Sequence, residues 1–213
     1  MRRIEKLIEV GSEPSADIPE FQSPLLELYE LGPELFEMLR IKNGFYAFES
    51  ALHVFPLSSV NTMSLEEWNA PSLWRGGYQD MAEGLLFFAE DVFQDQFCLS
   101  RGAVLRFKAE TGDAAVLAGS VEAWADLILR EYSKETGWAL ASEWQANHGP
   151  LAPGKRLIPK IPFFLGGQYS IDNLWAGDAV EGMRFKADLA LQARNLPNGS
   201  AVKLNLTRRP YKQ

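Results

Sequence analysis

The chain has 213 residues, 46% hydrophobic and 23% charged, and a formal net charge of −7. That balance is too apolar for intrinsic disorder, and no apolar run approaches the ~20 residues of a membrane-spanning helix. Cys98 is the one cysteine, which excludes an intrachain disulfide, and Glu5, Lys6 and Glu9 break up the N-terminal apolar run that a secretory signal would need, so a cytoplasmic protein is expected.

Residues 1–20, broken by Gly11, Pro14 and Pro19, read as an arm that needs a surface to pack on. Ser23-Pro24 places a capping side chain before a proline at the first helical position, a sound helix start. Gly32-Pro33 opens a second helix, with Glu34 and Glu37 near its positive end and Leu35, Phe36 and Leu39 as its stripe; Asn43-Gly44 stops it. Short aromatic-rich runs at 46–48 and 52–55 read as strands, and Ser64 with Glu67 forms a capping box. Four strand-like runs follow at 85–89, 96–99, 104–108 and 114–118, with turns such as Arg101-Gly102 between them, and this spacing predicts an antiparallel meander.

Ser120 caps the next helix, with Val121, Trp124, Leu127, Ile128 and Tyr132 on one face, and Trp138, Ala141 and Trp144 mark another helical segment. Beyond Pro150 the sequence reads as a looping connector with one short strand at 163–165, then a partly helical stretch over 174–196, strongest at 187–193. Leu196-Pro197-Asn198-Gly199 is a tight turn into an alternating strand at 202–206. Without strand–helix alternation the fold class is α+β. The last thirty residues hold seven basic side chains and one acidic, net +6, and the other 183 hold 14 basic and 27 acidic, net −13. The acidic body disfavours nucleic acid and membrane surfaces and favours a cationic protein partner. Arg208 and Arg209 in the tail are expected to pair with that body.

Catalytic and metal constellations are sparse. The two histidines, His53 and His148, have no second ligand at metal spacing, so no metal and no cofactor is expected; His53 reads as a packed strand residue and His148 as a solvent-facing cap. Cys98, between Phe97 and Leu99, reads as a small buried hydrophobe and not a nucleophile. Glu90, Asp91 and Asp95 cluster at a strand end and its turn. Paired carboxylates perform glycoside hydrolysis only across a cleft, roughly 5–9.5 Å apart. Neighbours at a turn usually point apart, so these three are expected to be solvated and part of a partner-binding acidic patch.

The stretches Ile41-Lys42-Asn43-Gly44-Phe45, Leu86 to Leu99, and Val104 to Trp124 resemble the SUKH superfamily, bacterial immunity proteins related to fungal cell-wall regulators. The second follows that family's pattern of apolar strand, acidic turn and aromatic strand, with Gln94 where glycine is usual. The tail is similar to a long-tailed bacterial subgroup through Pro162-Phe163-Phe164-Leu165-Gly166-Gly167 and the turn at 196–199. The resemblance implies one domain over 1–213, with a SUKH-like core at 24–135, an antiparallel sheet wrapped by helices, and an extension at 136–213 packed on it. It also implies a non-enzymatic protein that neutralises a toxin, plausibly a nuclease, by direct stoichiometric binding. An intracellular adaptor without a toxin partner is the alternative, and a hydrolase using Glu90 or Asp95 a third.

Overall fold

The computed structural model describes residues 1–21, 23–59 and 61–194 of the chain. Its centre is a six-stranded sheet in sequence order: β1 (Phe45–Ala47), β2 (Leu52–Val54), β3 (Leu86–Asp91), β4 (Gln96–Ser100), β5 (Ala103–Phe107) and β6 (Ala114–Ala118), each antiparallel to its neighbour. The fold is α+β, and the meander expected from turn spacing is present. Among the helices are α1 (Arg3–Glu9), α2 (Pro24–Glu27), α3 (Gly32–Ile41), α4 (Leu65–Trp68), α5 (Val121–Thr136), α6 (Trp138–His148) and α7 (Ala179–Arg194).

The two faces of the sheet follow from strand alternation. On one face Phe88 and Phe97 meet Trp124 of α5, with ring centroids 5.0 and 5.5 Å apart. On the other, Phe87 and Phe107 meet Trp74 and Tyr78, which flank or lie within a 3-10 segment, Arg75–Ala82. Helix α7 closes that side, with Met183, Ala187 and Ala190 in the same core. The caps read from sequence are formed: Ser23 Oγ accepts from Leu25 N, Ser64 and Glu67 make the reciprocal box, and Ser120 Oγ accepts from Ala123 N. Cys98 is fully buried, as its apolar neighbours suggested.

Four segments differ from the sequence reading. Residues 3–9 are not an arm but helix α1, because Ile4, Leu7 and Ile8 form one apolar stripe that joins Trp124, Ala125 and Ile128 of α5 in the core. Residues 163–165 are a 3-10 turn, not a strand: their backbone N–H groups at Phe163 and Phe164 donate to the Glu110 carboxylate at 3.2 and 2.9 Å, so they have no ladder to join. The strand of this region is β7 (Lys155–Pro159), paired with β8 (Leu174–Asp178) in a separate two-stranded sheet. The stretch read as partly helical from 174 therefore begins as a strand, and its helix starts at Ala179. The two-stranded sheet is tied to the main one at the β3–β4 turn, where Leu157 N donates to Val92 O at 2.9 Å. Val92, Leu157, Leu174, Ala141 and Trp144 form a second, smaller core there. The strand expected at 202–206, the turn before it, and Arg208 and Arg209 lie outside the described residues.

Candidate functional site

The acidic turn is built as a closed loop of hydrogen bonds. Asp91 N donates to Asp95 O at 2.9 Å, and Asp91 Oδ1 accepts from the backbone N–H groups of Phe93 and Asp95 at 2.9 and 3.0 Å. Gln94 takes a left-handed conformation, φ +71°, where glycine costs least. Its side chain is buried and offsets that cost in part, since Nε2 donates to Ala179 O at 2.6 Å. Helix α7 admits it through Gly182, where a Cβ would occupy the space of the Gln94 side-chain oxygen, Oε1.

Strand alternation sends the neighbouring carboxylates to opposite faces of the sheet. Glu90, 1% exposed, meets Arg156 Nε at 2.7 Å, Gln96 Nε2 at 3.2 Å and His53 Nδ1 at 3.5 Å. Burial alone would raise its pKa, but the Arg156 charge and the His53 and Gln96 hydrogen bonds hold it below the usual carboxylate range. His53 is pushed down to about 4, chiefly by burial, and is neutral. Asp91, 4% exposed, lies 3.7 Å from Arg106, and burial beside Asp95 pushes its pKa up to about 7. Asp95 pairs with Lys108 Nζ at 3.0 Å and accepts from Ala109 N at 3.0 Å.

The expectation of three solvated carboxylates is therefore corrected. Glu90 and Asp91 are internal groups, because fixed cations and backbone donors replace the water they would otherwise need. Asp91 and Asp95 come together; Glu90 does not join them.

Asp91 and Asp95 sit at the bottom of an open cleft of about 870 Å³. Arg106, Lys108, Glu110 and Glu135 are among its other polar lining. Arg106 lies 4.9 Å from the Phe97 ring centroid, pairs with the Glu135 carboxylate at 3.1 Å and donates to the Glu135 carbonyl. Leu117 and Leu140 form apolar walls, with Phe93, Phe163 and Tyr169; the last two are stacked at 3.9 Å. Below the turn, the buried Lys186 of α7 donates to Phe93 O, and burial lowers its pKa.

Sequence reasoning missed Arg106, Lys108, Glu135, Arg156 and the aromatic wall. Arg106 and Lys108 carried a readable signal, two cations at period two in an apolar strand. Arg156 and Lys186 carried only their own burial, which is a tertiary property.

Among the described residues no group of three or more His, Cys, Asp or Glu side chains is placed to hold a metal ion. His148 is exposed and stacks on Trp144 at 4.4 Å. Burial pushes the Cys98 thiol pKa up, away from the thiolate a nucleophile needs. No described helix is long and apolar enough to cross a membrane.

No family model and no curated protein matches the chain. Among solved structures, it is similar to Atu4351 from Agrobacterium tumefaciens, with a TM-score of 0.58 and 14% identity over 86% of this chain and 87% of that one. At that identity the likeness shows a shared fold.

Proposed function

We propose that this protein is a cytoplasmic immunity protein of the SUKH kind, which neutralises a cationic toxin domain by stoichiometric binding and has no catalytic turnover. The observation that carries the reading is the cleft beside the acidic turn, lined by paired charges, Asp95–Lys108 and Arg106–Glu135, and by an aromatic wall. Asp95, paired with Lys108, serves poorly as a free acid or base, and a partly apolar recess suits an anchoring side chain of a partner. The acidic body, net −13 outside the last thirty residues, favours encounter with a basic protein. Of the acidic trio only Asp95 contributes to contact in this reading; Glu90 and Asp91 hold the frame.

The test is co-expression with the product of the reading frame beside this protein's gene, together with titration calorimetry of the purified pair. Protection should track the molar ratio, binding should saturate at one to one, and association should slow steeply as salt rises. Protection at strongly substoichiometric levels would replace this reading with an enzyme. Specific capture of a non-toxin partner through the same cleft would replace it with an adaptor.

A further inference from the structure

The two edges of the six-stranded sheet are finished differently. Along β1, Gly11 bridges Ala47, Ser12 N donates to Tyr46 O at 2.7 Å, and Tyr46 N donates to the Ser12 hydroxyl at 3.1 Å. That edge is covered. At the opposite end β6 pairs with β5, and among the described residues no strand or bridge lies along its outer side.

Exposed edges are normally protected by a lysine, a proline or an inward charge, because free N–H and C=O groups template another strand. The sequence of β6 is Ala-Ala-Val-Leu-Ala, with neither charge nor proline. Ala114, Ala115 and Val116 are exposed, Val116 at 74%. A register shift against β5 sets Leu117 apart in a bulge, so the regular free edge is the run 114–116.

We infer that this edge is a self-association surface: a second copy of the chain adds its own β6 antiparallel, about a two-fold axis beside Val116, and joins two six-stranded sheets into one. The occupant follows from the sequence of the strand. An isologous contact sets a strip against itself, so it needs a strip without self-repulsion. Here small apolar residues face small apolar residues. Asp113, the charge that flanks the strand, falls opposite the uncharged residues 117–119, and its carboxylate already accepts from the Thr111 hydroxyl at 2.7 Å. An edge shaped for a charged partner would carry complementary charge along the strand, and β6 carries none. A single strand pair is smaller than a standard interface of about 1,600 Å², so the dimer is weak and concentration-dependent.

Sedimentation velocity of the full chain from about 5 to 500 µM tests this without reference to any toxin. The sedimentation coefficient should rise with concentration. Val116→Lys and Val116→Glu should each reduce the association constant at least ~10-fold, because like charges then meet across the axis. An equimolar mixture of the two variants should restore it, since the two copies of residue 116 are direct or diagonal cross-strand neighbours within ~8 Å. Melting temperatures near wild type would establish that both variants fold, as exposure of Val116 leads one to expect. A wild-type chain that stays monomeric throughout overturns the inference, whatever then covers the edge. Association that survives Val116→Lys overturns it too, and a mixture that fails to restore association rules out the two-fold arrangement.

Discussion

Arg156 donates its Nε to Glu90 Oε1 at 2.7 Å, and this buried ion pair bolts the two-stranded sheet to the third strand of the main one. Both side chains are essentially inaccessible, at 1% and 2%. Removing one partner strands a charge in low dielectric, whereas removing both does not. Glu90→Gln should cost about 3–5 kcal/mol in urea unfolding, and the Glu90→Gln/Arg156→Met double variant should be more stable than Glu90→Gln alone. Additive losses would mean that the two groups act independently.

The strained turn makes a second, separable prediction. Gly182→Ala pushes a methyl group into the Gln94 side-chain oxygen, Oε1, and should destabilise by about 1–3 kcal/mol. Gln94→Gly relieves the left-handed backbone but loses the bond to Ala179 O, so it too should destabilise modestly. Combined, the two should cost less than their sum, by roughly 0.5–3 kcal/mol of coupling. Strict additivity in a double-mutant cycle would exclude the contact.

His53 and Asp91 give stability opposite pH slopes. The folded-state pKa of His53 is depressed to about 4 from 6.5 by burial, so between those values the unfolded chain takes up the proton and stability falls as pH drops. Asp91 is raised to about 7 from 3.8, by burial and by Asp95, so the folded chain takes up the proton and stability rises as pH drops from 7 toward 4. The two offset each other in the wild type. Asp91→Asn, which keeps the oxygen that accepts from Phe93 N and Asp95 N, should steepen the acid-side loss between about pH 6.5 and 4. His53→Gln should flatten that loss. Denaturation midpoints across pH would check both, and parallel profiles for all three proteins would refute the assignment.

Cys98 should react with a thiol reagent only when the sheet opens. It is fully buried, between Phe87 and Leu105 in cross-strand register. Labelling of the native protein should be slower than that of the denatured one by at least ~100-fold and should accelerate with sub-denaturing urea. Cys98→Ser buries a hydroxyl and should cost about 1–3 kcal/mol. Rapid native labelling would return the thiol to consideration as a reactive group.

What was legible in the sequence was local. The caps at Ser23, Ser64 and Ser120 announce themselves within four residues, and the strands of the meander are separated by their own turns. Strands β7 and β8 have no such signal: Lys155, Arg156 and Pro159 make the first look like loop, and Arg156 is buried only because Glu90 waits 66 residues earlier in the chain. The same holds for the site. Proximity of Glu90, Asp91 and Asp95 was readable, but the burial of Glu90 and Asp91 was decided by Arg156 and Arg106, brought in by other strands. That Glu90 and Asp91 part company was expected of neighbours at a turn and follows from alternation along β3; only their burial was not readable.

The docking of α1 sets a timetable for synthesis. The backbone N–H groups of Arg3 and Ile4 donate to the Glu122 carboxylate, and Arg3 Nε lies 3.0 Å from Asp126. None of these partners exists until the ribosome has added well over a hundred further residues. At ~5–20 residues per second that interval is roughly 6–24 s, before any delay in the exit tunnel. For that time Ile4, Leu7 and Ile8 ride on the nascent chain with no α5 to cover them. A helix translated more than a hundred residues before its partner is thus late to find its place, and its apolar stripe stays uncovered in the meantime.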